Sequence, residues 1–443
     1  MKIKSLCLAI AILSISNLCF SQQNKWSLES CVHYALDNNF TIKKQLLAIE
    51  SKKVQLKASK MNVLPSVYGS VGQDISFGRA AAANGVIENN SQSTTTFGVG
   101  LNLPLFEGLK NYNQVASDKL ELTAIMHDYE QAKENVELSV ASYYLQVLLC
   151  KEMLLVAEYQ VQLSESQIAR IEELVKNGKS SDAELYTAKA TLSSDRLTLA
   201  EAENNLRLAK LDLAQLMNVT DIESFDIADE AGQTDIDEFL GKEVDMTTIK
   251  NNALQNRPGI KAAAARIAKG EKDINIARSG WYPSLSLTAS YGTGYYYVFQ
   301  NSALVDNSLF NTQMKNNSRE IVALSLSIPI FDRLSTYHNV KLAKISLKSQ
   351  EIELEETKVN ILKEIEQAYA NAVAAREKYV AAQSSVEAST IAFNYEELKY
   401  NSGSSTIYEY NDAKINNTKS KSELIQAKFD YLFRLKILEY YGK

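Results

Sequence analysis

Cysteine, histidine and proline are scarce: four, three and five residues in a chain of 443. The shortage excludes several classes of protein at once. Cys31 and Cys150 are the only cysteines beyond the first twenty residues. They lie far apart, both in helical pattern, so the chain is no disulfide scaffold and no bridge is expected between them. His33, His127 and His338 are scattered along helical stretches and are expected as surface or packing residues rather than ligands. No Cys/His cluster, glycine-rich phosphate loop or nucleophile motif is present, so the sequence points to no enzyme, no metal and no cofactor. After the N-terminal region no stretch of eighteen consecutive apolar residues occurs, so no membrane-spanning helix is expected. Positive charge is lacking too. The formal net charge is −6, or −8 without Lys2 and Lys4, and no basic stripe marks a nucleic-acid partner.

What is present begins with an export signal. Lys2 and Lys4 precede the apolar run "LCLAIAILSI", and Cys19 and Ser21 suit a cut before Gln22. Residues 1–21 are therefore expected to be removed. Asn17 and Leu18 suit lipoprotein cleavage poorly, which argues against lipidation at Cys19.

The rest of the chain is written twice. "NVLPSVYGSVG" at 62–72 matches "GWYPSLSLTAS" at 280–290, an offset of 218. "LNLPLFEGL" at 101–109 matches "LSIPIFDRL" at 326–334, and "NGKSSDAEL" at 177–185 matches "SGSSTIYEY" at 402–410, both offset by 225. A net insertion of seven residues in the second strand–loop–strand unit accounts for the change. The halves are expected at 22–217 and 247–443, joined by an acidic, weakly patterned linker at 218–246. Each half reads as helix, strand, polar loop, strand, very long helix, tight turn and return helix.

The strands, about 65–77, 94–104, 283–297 and 319–329, alternate with period two. Val67, Val71, Ile75 and Phe77 oppose Ser66, Ser70, Asp74 and Ser76; Val322, Leu324, Leu326 and Ile328 oppose Ala323, Ser325 and Ser327. A soluble sheet resting on a core would show this pattern. So would a membrane barrel, apolar outside and polar inside, and aromatics gather at the strand ends: Phe106, Trp281, Tyr282, Tyr295, Tyr296, Tyr297 and Phe331. Four strands cannot close a barrel, so the missing strands would come from other copies. Pro104 and Pro329 are expected to end the strand ladders, because proline has no N–H to give. With Phe106 and Phe331 they mark two strand-to-helix joints.

From about 107 to 176 and from 332 to 400 apolar residues recur at three- and four-residue spacing without proline. Seventy helical residues span roughly 100 Å. Such a helix needs partners along its length, as in a coiled-coil barrel. The return helices, about 182–217 and 406–440, are shorter, and the first helix of each half can stack end to end with them. Gly178 and Gly403 suit helix C-termini in left-handed geometry, and Ser181 and Thr406 suit N-caps. Capping alone would explain these four residues.

In order and motif the chain resembles the TolC-like outer-membrane efflux protein family. The likeness covers essentially all of the chain after the signal and rests on "LPLFEG", "IPIFDR", "NRPGIKAA" at 256–263, the two tip motifs and the 225-residue repeat. It implies a mainly α protein with a small β part, three copies of which make one twelve-stranded outer-membrane barrel continuous with a periplasmic coiled-coil barrel. It implies no chemistry on substrate. A periplasmic adaptor and an inner-membrane pump would engage the tunnel, the adaptor around Gly178, Ser181, Leu185, Gly403 and Thr406. Glu409 and Asp412 fall where acidic residues ring the periplasmic constriction in the family, and three close copies would raise their pKa values; as solvated helix charges they would do neither. Tyr400 and Glu184 fall where the family forms a tip latch, but Ser405 stands at the latch arginine's position. A passive porin-like channel and a coiled-coil scaffold of the envelope are the competing readings. Too few strands per chain speak against the first, and the aromatic-ended strands against the second.

Overall fold

The computed structural model describes residues 25–81, 87–89, 91–222, 225–228, 245–299 and 307–442. The export signal 1–21, Cys19 and most of the expected linker lie outside them. In order, the elements are α1 (Leu28–Asn38), α2 (Phe40–Met61), β1 (Ser66–Ser76), β2 (Arg79–Ala81), β3 (Ile87–Asn89), β4 (Gln92–Glu107), α3 (Lys110–Lys176) and α4 (Asp182–Met217). Then follow α5 (Met246–Asn256), α6 (Pro258–Arg278), β5 (Ser284–Val298), α7 (Phe310–Asn316), β6 (Arg319–Ser327), α8 (Ser335–Ser402) and α9 (Ile407–Gly442). Two compact units form. One takes Met1–Leu46, Asp128–Pro258 and Thr357–Lys443, and the other Leu47–His127 and Gly259–Glu356. Each unit therefore draws chain from both sequence halves.

The unit containing the strands is built on one antiparallel sheet in the order β1-β4-β5-β6. Its register sorts side chains cleanly. Val67, Leu101, Ala289 and Val322 form one row on one face, and Ser70, Gly98, Gly292 and Arg319 form a row on the other. The apolar face is not covered: Val71 is 73% exposed and Val322 76%. Phe106, Trp281, Tyr282 and Phe331 are exposed as well. β5 outruns β6, and side-chain amides take over its open edge. Asn317 Nδ2 donates to the Gly294 carbonyl at 2.7 Å. Gln313 exchanges two 2.9 Å bonds with the N–H and C=O of Tyr296, and Asn307 two 3.0 Å bonds with those of Val298. A paired edge of this kind offers no template to a stray strand.

The strand ladder does not end at Pro104, as the sequence led us to expect. β4 runs on to Glu107 with a bulge between Pro104 and Phe106. The last rung with β1 is at Asn102, so Pro104 sits where only one side of β4 is paired, a place that tolerates a missing N–H. The change of direction comes later, at Gly108 and Leu109, with φ 60° and 63°. The second copy repeats it 225 residues on: β6 stops at Ser327, before Pro329, and Arg333 and Leu334 have φ 58° and 63°. Two successive left-handed residues turn each strand into its long helix. Only Gly108 does so without steric cost. A Cβ there would lie 2.7 Å from Tyr282 Cβ and 2.8 Å from the Ser279 carbonyl.

The helical unit holds the main core, in which Cys31, Val140, Tyr144, Val147, Leu213 and Met217 are buried. An 18-residue window of α3 reaches a mean hydropathy of 1.4, enough to cross a membrane by composition, with 44% of it buried. Val136, Val140, Tyr144, Val147 and Leu148 of the same helix are buried in this core. Each expected first helix is two helices, broken at positions 218 apart. Asn39 and Arg257 are both extended and both 7% exposed. Each gives its side chain to the end of a return helix: Asn39 Nδ2 to the Leu216 carbonyl at 2.8 Å, and Arg257 Nη2 to the Tyr440 carbonyl at 2.8 Å. Last-turn carbonyls lack helical partners, and these polar groups supply them. Arg257 also bonds Glu134 at 3.0 Å and stacks on Tyr440 at 4.0 Å. Of the expected linker, Ile227 makes a parallel bridge with Trp26, and Asp226 lies between Lys210 and Lys151 at 2.9 and 3.1 Å.

Candidate functional site

The helical unit contains both hairpin turns. α3 and α8 end alike. Gly178 donates to the Val175 carbonyl and Lys179 to that of Leu174; Gly403 donates to the Tyr400 carbonyl and Ser404 to that of Lys399. With φ of 66° and 74°, both glycines are left-handed caps of the Schellman type. Ser181 then caps α4, accepting from Glu184 N at 3.3 Å, and Thr406 caps α9, accepting from Glu409 N at 3.3 Å. Leu185 is half-buried in the first turn of α4.

The two hairpins are joined through side chains. Tyr400 on α8 donates its hydroxyl to Glu184 Oε1 on α4 at 2.7 Å. The ring is 9% exposed and lies 5.0 Å from that of the buried Tyr410. Burial, then the Glu184 carboxylate, push the Tyr400 hydroxyl pKa up. Arg170 on α3 donates to the Asn401 carbonyl at 3.0 Å and lies 5.7 Å from the Tyr400 ring. A cation thus reaches this tip from the first hairpin, while Ser405 bonds the carboxylates of Glu396 and Glu409.

Farther along α9, Lys414 is 3% exposed. Its ammonium bonds Asp195 on α4 at 2.7 Å and Ser164 on α3 at 2.6 Å, and Ser164 bonds Asp195 in turn. Asn417 donates to Thr390 on α8 at 2.9 Å. A buried pair of this kind is costly to break from one side and specifies which surfaces may meet. Sequence reading missed Arg170, Asp195 and Lys414. The signal was there: 410, 414 and 417 follow core spacing, but two of the three residues are polar.

Glu409 and Asp412 are exposed on the first turns of α9. Glu409 closes a capping box, its Oε2 accepting from Thr406 N and Oγ1 at 2.9 Å. These bonds hold its carboxyl below the usual range within one chain, opposite to the rise expected from three crowded copies. Asp412 accepts from Asn416 at 3.2 Å.

A protein-family profile described as "Outer membrane efflux protein" matches residues 31–219 and again 249–438. The chain belongs to this family. Proteins similar to it include the outer membrane protein OprJ of Pseudomonas aeruginosa, 25% identical over 87% of this chain and 77% of its own. Another is the cation efflux system protein CusC of Escherichia coli O157:H7, 22% identical over 80% and 73%. The crystal structure of the Campylobacter jejuni CmeC outer membrane channel superposes with a TM-score of 0.76 over 94% of this chain and 85% of that one, at 21% identity. The fold of an efflux channel and a place in the outer membrane follow. The family consists of channel proteins rather than enzymes.

Proposed function

We propose that three copies close their sheets into one twelve-stranded barrel, with the helices forming a periplasmic tunnel beneath it. The assembly is the exit duct of a tripartite efflux or secretion system. A periplasmic adaptor meets the tips around Gly178, Ser181, Leu185, Gly403 and Thr406, and an inner-membrane pump supplies the cargo. The sheet carries this reading: four strands, two unpaired edges and an uncovered apolar face. Four strands cannot close on themselves, whereas an apolar face is stable against lipid. In this reading the membrane's inner edge lies at the joints near Pro104, Phe106, Pro329 and Phe331.

In this duct the links from Tyr400 to Glu184 and from Arg170 to Asn401 hold the tips shut, and Glu409 and Asp412 face the narrow mouth. Planar bilayers test it. The wild type is expected to give a small conductance, raised by Tyr400→Phe with Glu184→Gln and by Glu409→Gln with Asp412→Asn. A large, steady wild-type conductance would mark a passive pore. No rise in the acidic pair's variant would remove Glu409 and Asp412 from the constriction.

A further inference from the structure

The two edge strands carry opposite charges on the same face of the sheet. Arg319 opens β6 and pairs with Gly292, and Asp74 lies in the outer half of β1, paired with Thr94. Alternation puts both on the small polar face. Both are exposed, and among the described residues neither has an ion pair. Arg319's neighbours along its row are Gly292 and Gly98, which offer no side chain to hold it. Glu107 is the other charged strand residue on that face; it sits at the inner end and accepts from Asn111 at 2.8 Å.

We infer that Arg319 forms an ion pair with Asp74 of the partner subunit, across the seam where β6 of one copy meets β1 of the next. The inference rests on the barrel reading above and goes further, because it fixes the register of the seam. Within one sheet the rung through Arg319 runs to Gly292, Gly98 and Ser70. Closing a barrel requires a fixed slide between strands. One residue of slide per strand gives a tilt of about 36°, at the low end of the range for outer-membrane barrels. Four strands per chain then move the rung by about four residues. A tilt of 45° moves it by about six, from the strand spacing and rise.

The direction of the slide also follows. Tyr296 turns its N–H and C=O toward the β6 side, where Gln313 meets them. Seen from the apolar face with the outer end up, β4 therefore lies to the right of β5 and β6 to the left. Right-handed strand twist makes barrel strands lean to the right as they rise. A rung passing leftward to the next copy climbs toward the outer end, from the level of Ser70 to that of Asp74 or Ser76. The long side chain of Arg319 reaches Asp74 from either register.

The test uses full-length protein extracted from outer membranes and follows the temperature at which an SDS-resistant trimer falls to monomer. Arg319→Asp and Asp74→Arg should each lower it by several degrees, and the double exchange should restore it. Single exchanges without effect, or a double exchange no better than the worse single one, would overturn the pair. A wild type that is monomeric by native mass spectrometry would overturn the trimer itself, a different failure. If the exchanged chains do not reach the membrane, oxidative cross-linking gives a second route. Arg319→Cys should link between chains with Asp74→Cys or Ser76→Cys and not with Ser70→Cys; linkage with Ser70→Cys alone would overturn the register. Cys31 and Cys150 are free and buried, so they do not compete.

Discussion

Glu184 and Glu409 stand 225 residues apart, each three residues after the N-cap of a return helix, beside equivalent serines. Glu409 folds back on Thr406 and completes its own helix start. Glu184 accepts from Ser180 at 2.5 Å and turns its other oxygen outward to Tyr400 on the second hairpin. The backbone solved both turns in the same way, glycine, cap and acid alike. The side chains then diverged, one to local stability and one to a contact between hairpins. The helix breaks and the joints show the same division. Asn39 and Arg257 occupy one backbone position with different chemistry, and Gly108 and Arg333 occupy another. A duplicated fold keeps its dihedral angles and spends its sequence freedom on what each copy must touch.

The breaks should separate the copies most. Arg257→Ala leaves the Glu134 carboxylate only the Tyr440 hydroxyl and uncaps the end of α9, so it should cost about 3 kcal/mol. Asn39→Ala loses neutral hydrogen bonds to Leu216 and Thr41 and should cost about 1 kcal/mol. Urea unfolding followed by helical circular dichroism measures both. Equal costs would mean that Arg257 acts only as a cap.

The joints come next, and here the sign differs. Gly108→Ala forces a Cβ into Tyr282 and the Ser279 carbonyl at a left-handed position and should cost about 2 kcal/mol. Arg333→Gly relieves left-handed strain at the matching position against glycine's chain entropy, and should be neutral or gain less than about 1 kcal/mol. Thermal melting of the two variants checks this. Destabilisation by both would show that the Arg333 side chain does more than tolerate its backbone.

These pairs also show how much was legible beforehand. Periodicity and repeats located the four strands, the long helices and the tips, because alternation and glycine punctuation are local properties of the chain. The ladder's passage through Pro104 was not legible, since it depends on β1 stopping at Asn102's rung and leaving that side of β4 unpaired. Both first-helix breaks were missed: "DNNFTI" carries no proline or glycine, and Pro258 after Arg257 went unread although proline favours the first position of a helix. The Tyr400–Glu184 contact was anticipated through family likeness. Arg170 and the Lys414–Asp195 pair were hidden, because a charge on a helix reads as surface until the neighbouring helix is known.

The smallest effect concerns pH and returns to the two glutamates. The capping bonds lower the Glu409 carboxyl, so their contribution is full above the ordinary glutamate value and lost as pH falls through the lowered one. Tyr400 has the opposite sense. Its hydroxyl is raised, so its contribution is full below the ordinary tyrosine value of 10.0 and lost as pH rises through the raised one. Acid should therefore loosen the second tip's cap, and strong alkali the link between hairpins. Conductance in bilayers should hold steady at neutral pH and rise at both extremes. Thr406→Ala should flatten the acid limb, and Tyr400→Phe should raise the conductance at neutral pH, because the link is gone, and flatten the alkaline limb. An alkaline rise that survives Tyr400→Phe would mean that another group, such as Tyr410 with its hydroxyl pushed up to about 12 by burial, holds the tips together.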